Sequence, residues 1–283
     1  MEYRILKYFV IVLIIISMFS CGYDADFSGF IRSTDRVEKR FEQSMQWNAE
    51  NPYQTLYVLN ENYKLLINSD SHLGGYENFS ITKRRFIDDD YLAMVLVGDI
   101  VTGKEEDYLK FNDSISEIIK PVFSIVGNHD LYFDGWKNFY KYLGSSTYYF
   151  TVETPTAKDL YICLDSGGGT YGKSQIDWLE QLLDESRSDY RYCTILSHVN
   201  MLRTRRTSSA NPMTEEVVYL LNMFTEYNID YVINGHDHLQ DEAIFADTKY
   251  LITDALKEGY ENAGYLILKV NSDAISHEFV RLN

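Results

Sequence analysis

Five of the six histidines in this 283-residue chain share one setting, at or just past the end of an apolar run that reads as a β-strand. Asp70 closes "YKLLINSD" with His72 two residues on, Asp99 closes "YLAMVLVGD", and Asn128, His129 and Asp130 close "VFSIVGNHD". His198 closes "RYCTILSH", His236 and His238 close "IDYVINGHDH", and only His277 lies elsewhere. Imidazole and carboxylate are the side chains of metal ligation and of proton transfer near neutral pH. A single HxH or DxH is weak evidence, since a lone histidine is more often a satisfied structural residue. Five strand ends carrying such groups are another matter, because the loops beyond the carboxyl ends of the strands form the ligand crevice of an α/β sheet.

The elements that must position these groups are legible as a pattern. Helix-like stretches "EEDYLKFNDSISEIIK" (105–120), "KSQIDWLEQLLDES" (173–186) and "TEEVVYLLNMFTEY" (214–227) alternate with the strands, and "TDRVEKRFEQSMQW" (34–47) predicts an amphipathic helix ahead of them. Alternation of this kind predicts an α/β core whose strands are covered on both faces. The tail from Glu242 to Leu282 reads as further short strands, among them "GYLILKV" and "SHEFVRL". With 45% hydrophobic and 24% charged residues the chain has a globular composition, and its length suits one large domain. Cys163 and Cys193 lie in apolar, strand-like segments and are expected as buried free thiols, with a disulfide as the alternative in an oxidising compartment.

Residues 1–20 stand apart. Arg4 and Lys7 precede an apolar run from Phe9 to Ile16, followed by small residues and Cys21, which is the layout of a secretory signal. Cys21 directly after Ser20 resembles a bacterial lipoprotein cleavage site, so lipidation of Cys21 and attachment to a membrane are expected. Met18 stands where such signals usually carry Leu; an ordinary cleaved signal and an uncleaved anchor are the alternatives. The formal net charge of −16 repels polyanions, so duplex nucleic acid is disfavoured as a partner.

Taken in order, "DSH" at 70–72, "GD" at 98–99, "GNHD" at 127–130, "SH" at 197–198 and "GHDH" at 235–238 resemble the calcineurin-like metallophosphoesterases, whose signature runs DxH, GD, GNH[DE], H and GHxH. The resemblance spans about residues 65 to 240, and "SGGGTYGKSQIDWLEQLL" looks like that family's glycine loop leading into a helix. It implies a four-layer α/β/β/α sandwich with two mixed β-sheets over residues 56–283, after a lead-in segment at 21–55 that carries a helix.

The resemblance also implies two metal ions. One would take Asp70, His72 and His238, the other Asn128, His198 and His236, and Asp99 would bridge them. Mixed nitrogen and oxygen donors suit Mn, Zn, Fe or Co better than calcium. "IVTG" follows Asp99, so the tyrosine-ligated ferric variant of the family is not expected. Two divalent ions about 4 Å apart supply a hydroxide at neutral pH and hold the phosphoryl oxygens for in-line attack. Their four positive charges exceed the two negative charges of Asp70 and Asp99, leaving the site locally attractive to a phosphate. By the family pattern His129 would protonate the leaving oxygen, with Asp130 either orienting that imidazole or capping a turn.

Substrate class is less defined. Arg203, Arg205 and Arg206 in "RTRRTSS" could clamp a second anionic group, or belong to a solvated loop. Tyr171 could shape the pocket, or simply follow a flexible glycine turn. Superfamily members that cleave lipid headgroup pyrophosphates tend to carry arginine in place of the histidine in "GNHD", so His129 argues for a phosphomonoester or a small phosphodiester. The alternative from a different class is a non-catalytic metal-binding scaffold of the same fold.

Overall fold

Alternation along the strands decides the layering. In β2 (Tyr63–Asn68), Leu65 and Ile67 face one apolar cluster while Leu66 between them faces another, and all three are fully buried. A strand buried on both faces requires a covering layer on each side. The computed structural model describes residues 28–29, 32–33, 35–73, 76–206 and 213–282. The signal segment and Cys21 lie outside them, and no described helix is long and apolar enough to cross a membrane.

The helices are α1 (Val37–Glu50), α2 (Glu77–Asp88), α3 (Glu105–Ile115), α4 (Trp136–Tyr142), α5 (Lys173–Ser186) and α6 (Thr214–Glu226). The other strands are β1 (Gln54–Tyr57), β3 (Ala93–Val97), β4 (Val122–Ile125), β5 (Tyr148–Glu153), β6 (Lys158–Leu164), β7 (Cys193–Ser197), β8 (Tyr231–Asn234), β9 (Asp241–Phe245), β10 (Thr248–Ile252), β11 (Gly264–Val270) and β12 (Ile275–Arg281). They form a seven-stranded sheet in the order β1-β5-β6-β7-β8-β10-β9 and a five-stranded sheet in the order β12-β11-β2-β3-β4. Both are mixed. β2, β3 and β4 run parallel, as do β6, β7, β8 and β10, while β9, β11 and β12 add antiparallel pairings.

Three apolar clusters fill the four layers. Leu65, Val95 and Ile125 of the smaller sheet meet Phe150, Cys163 and Leu251 of the larger one, and the rings of Phe123 and Phe150 stack across the gap at 3.8 Å. Leu66, Met94 and Leu96 turn outward to Phe79 and Phe86 of α2, Phe111 of α3 and Phe139 of α4. Ile162, Ile195 and Val232 turn outward to Leu179 and Leu183 of α5 and Leu220 and Phe224 of α6. Each such side chain contributes about 1.5–3 kcal/mol on burial. The result is the expected α/β/β/α sandwich.

The boundary expected at 55/56 falls inside β1, which pairs in parallel with β5, so the lead-in packs into the same body. Trp136 Nε1 donates to Gln43 Oε1 of α1 at 2.7 Å, and the Asp134 amide donates to the Arg32 carbonyl at 2.8 Å. Cys163 and Cys193 are free and buried, and burial pushes the Cys193 thiol up to about 12. Leu160 of β6, not Cys163, lies opposite Cys193, so the two cysteines are out of register on neighbouring strands.

Candidate metal centre

The parallel strands deliver the polar groups to one end of the sandwich, and the backbone there is bent to aim them. Asp70, His72, Asp99, His236 and His238 all have positive φ, between 40° and 70°, in the left-handed region that side chains other than glycine rarely adopt. Each such residue costs roughly 1–3 kcal/mol and persists where the surrounding fold over-determines it. Close approach explains the neighbouring glycines. Gly98 has φ 89°, and a Cβ there would lie 2.5 Å from His198 Nδ1. Gly127 likewise leaves space: a Cβ there would lie 2.2 Å from the Asp99 amide nitrogen.

Two groups of ligand atoms converge. In the first, His238 Nε2 lies 3.2 Å from Asp70 Oδ1 and 3.3 Å from His72 Nε2, which is 3.6 Å from Asp99 Oδ2. In the second, His198 Nε2 lies 3.3 Å from Asp99 Oδ2 and 3.0 Å from Asn128 Oδ1, and His236 Nδ1 is 2.9 Å from that same amide oxygen. Asp70, His72, Asp99 and His238 can hold one ion, and Asp99, His198 and His236 a second, each group's ligand atoms lying within 4.8 Å of one another. Asp99 belongs to both.

The donors fit a cation on physical grounds. Asp70 Oδ1 is buried and makes no hydrogen bond, a costly state for a carboxylate oxygen unless a positive charge faces it. Burial pushes His72 down to about 3 and, helped by the charge of His198, His236 down to about 4, which keeps both imidazoles neutral and able to ligate. Burial also works against the charged forms of Asp70 and Asp99, but His238 beside the first and His198 beside the second hold both carboxylates below their ordinary range. Burial likewise opposes the charge on His198, yet Asp99 outweighs it and raises this histidine to about 10. The Val97 carbonyl lies 2.8 Å from His198 Nδ1, which fixes that nitrogen as the proton carrier once Nε2 ligates.

His129 sits beside this constellation. Its ring meets His72 edge-on at 4.3 Å and Tyr132 at 4.5 Å, and its Nε2 is 3.9 Å from Asp99 Oδ2. Its own amide donates to Asp99 Oδ1 at 2.7 Å, so the bridging carboxylate and the candidate acid are positioned together. Asp130 does not orient the imidazole. Its carboxylate accepts from the amides of Ile100, Val101 and Gly127 at 3.3, 2.9 and 2.8 Å, joining the GD loop to the GNHD loop. Of its two expected roles, the turn clamp is the one present.

The arginines also depart from expectation. Arg203 Nη1 and Arg205 Nη2 each lie 3.2 Å from the carboxylate of Asp237, which is buried between the two histidines of GHDH, and Arg205 also pairs with Asp241. Both guanidiniums are engaged in bracing the GHDH loop rather than clamping a second anion, while Arg206 is exposed. Tyr171 is a core residue whose hydroxyl bonds Ser197 Oγ at 2.9 Å. Ser69 and Tyr260 were not anticipated. Ser69 Oγ donates to Asp70 Oδ2 at 2.5 Å, and Tyr260 Oη lies 2.9 Å from His238 Nδ1. Ser69 adjoins DSH and could have been suspected from position alone, whereas Tyr260 lies in a tail with no motif.

Comparisons with known sequences and structures identify the family and the fold. The family model for calcineurin-like phosphoesterases matches residues 63–240, and the chain belongs to that family. Among solved structures, a dimetal phosphatase from Danio rerio superposes with a TM-score of 0.61 at 11% identity, covering 77% of this chain and 95% of that one. GAP50, described as the anchor in the inner membrane complex of Plasmodium, superposes with a TM-score of 0.59 at 12% identity, covering 78% and 84%. At such identities the likeness is one of fold. No curated protein sequence matches the chain.

Proposed function

We propose that the protein is an exported, membrane-attached phosphoesterase that hydrolyses a phosphomonoester or a small phosphodiester. The observation that carries this reading is Asp99: one buried carboxylate shared by two groups of ligand atoms, with the His129 amide donating to it and the His129 imidazole beside it. Two divalent ions, held by Asp70, His72 and His238 on one side and His198 and His236 on the other with Asp99 common to both, would supply Lewis acidity toward phosphoryl oxygens and a more acidic water. The chain's own residues do the rest. Asp130 holds the GD and GNHD loops at a fixed separation, and Val97 fixes the tautomer of His198. The His129 imidazole delivers a proton to the departing oxygen, a role worth about 10²–10⁴ in rate. The global charge of −16 favours small substrates over polyanions.

A non-catalytic metal-binding scaffold would have no need of the acid histidine. Metal-loaded protein assayed against a panel of phosphate mono- and diesters separates the two readings. Turnover of at least one class is expected. No turnover of any ester by protein carrying two ions would leave the scaffold standing.

A further inference from the structure

We infer that Tyr260, beyond the last motif, is a positioning residue that accepts the Nδ1 proton of His238 in its ligating form and thereby sets the strength of one of the two metal positions. The inference rests on the proposed dinuclear reading and extends it to a side chain that no motif contains.

The argument begins with the direction of the imidazole. His238 points Nε2 at Asp70 Oδ1 and at His72 Nε2, at 3.2 and 3.3 Å, and points Nδ1 at the Tyr260 hydroxyl, at 2.9 Å. A neutral imidazole carries one proton and one lone pair. If the proton sits on Nε2, it occupies the space where Asp70, His72 and His238 converge, and a cation is excluded. If it sits on Nδ1, it is donated to Tyr260 Oη, and the Nε2 lone pair faces the ligand group. Once Nε2 ligates an ion the proton must sit on Nδ1, and the hydroxyl, which can donate or accept, is then the acceptor that receives it. For His198 the acceptor on Nδ1 is the Val97 carbonyl, which is backbone. For His238 the partner is a side chain, and so it can be removed.

The fold holds that hydroxyl in place. Tyr260 lies in the segment between β10 of the larger sheet and β11 of the smaller one, which is tied to both sides of the site. The Leu256 amide donates to the Ser69 carbonyl at 3.0 Å, next to Asp70, and Ala255 pairs with Ser69. The Asn78 amide at the start of α2 donates to Glu258 Oε1 at 2.7 Å, and Asn78 Nδ2 donates to the Lys257 carbonyl at 3.2 Å. The rings of His238 and Tyr260 meet edge-on with centroids 5.2 Å apart, so the contact is directional.

Tyr260→Phe deletes the hydroxyl and little else. The metal-free wild-type and variant chains would be titrated with Zn²⁺ or Mn²⁺ against a chromogenic chelator, alongside their unfolding temperatures. The expected result is two ions in the wild type and, in Tyr260→Phe, one ion bound about 10- to 100-fold more weakly with the other unchanged. The metal-free unfolding temperatures should coincide. Unchanged affinities in Tyr260→Phe, or an equal loss at both positions, would overturn the inference. Fewer than two ions in the wild type would instead overturn the dinuclear reading, and this inference with it.

Discussion

Arg40 and Asp165 form a two-point ion pair that is closed to solvent, with Nε to Oδ2 at 2.6 Å and Nη2 to Oδ1 at 3.0 Å. Arg40 belongs to α1, ahead of every motif, and Asp165 follows β6 at the site end of the sandwich. Asp165 Oδ1 also accepts from the Gly167 amide at 3.1 Å, and the adjoining Ser166 Oγ accepts from the amide of Val199, the residue after His198, at 2.8 Å. The lead-in helix thus braces a loop that braces a ligand.

Removing one partner leaves the other charge buried and unpaired. Arg40→Met should cost about 3–5 kcal/mol of stability, whereas the double change Arg40→Met with Asp165→Leu should recover much of that loss, because replacing a whole buried pair by apolar groups is often near neutral. Urea denaturation of the three chains measures both. Equal destabilisation by the single and double changes would mean that α1 needs the guanidinium for packing rather than for charge.

The Asp99 carboxylate belongs to both ligand groups, so Asp99→Asn should lower metal content at both positions rather than at one. Elemental analysis of purified protein reads this directly, and a variant that keeps two ions and full activity would refute the bridging role. Chelation of the wild-type chain should lower its unfolding temperature. Asp70 and Asp99 then rely on nearby imidazoles alone for counter-charge, and the ligand that stabilised the folded state is gone.

Much of this was legible because metal chemistry needs particular atoms at strand ends, and these are written as residue identities. The helix 173–186 coincides with α5, whose buried Gln175, Leu179 and Leu183 repeat at helical spacing. The helix expected over 105–120 stops at Ile115, and "ENFSITKRRFID" was not read as a helix although it forms α2. Its apolar stripe is only Phe79 and Phe86 around Thr82, diluted by Lys83, Arg84 and Arg85. β1 is exposed and four residues long, and its partner lies almost a hundred residues away, so no local pattern marks it. The roles of Asp130, Arg203 and Arg205 depend on which neighbour claims their charge. Backbone amides claimed the first and Asp237 the other two, and only the folded chain brings those partners near.

The proposed attachment to a membrane rests on Cys21. Buried acyl chains contribute about 0.8 kcal/mol per methylene, and stable anchoring takes more than one chain. Cys21→Ser should therefore move the protein from the membrane fraction to the soluble one, and mass spectrometry of the wild type should find an acylated Cys21 at the mature N-terminus. A mature chain beginning at another residue would remove the lipid anchor from the proposal and leave the phosphoesterase reading intact.

The remaining test separates proton delivery from metal holding. His129 is in ring contact with His72, yet it belongs to neither ligand group, so His129→Ala should leave metal stoichiometry unchanged. A general acid matters only when the leaving group needs a proton. A nitrophenolate departs as a stable anion, whereas an alkoxide is too basic to leave unassisted. The variant should therefore lose little on nitrophenyl esters and about 10²–10⁴ on alkyl esters. Single-turnover rates are the proper readout, since slow product release would hide the difference in steady state. Equal losses on both substrates, with chemistry limiting and metal content intact, would assign His129 to holding Asp99 and the GNHD loop in place, and the proton would have to come from elsewhere.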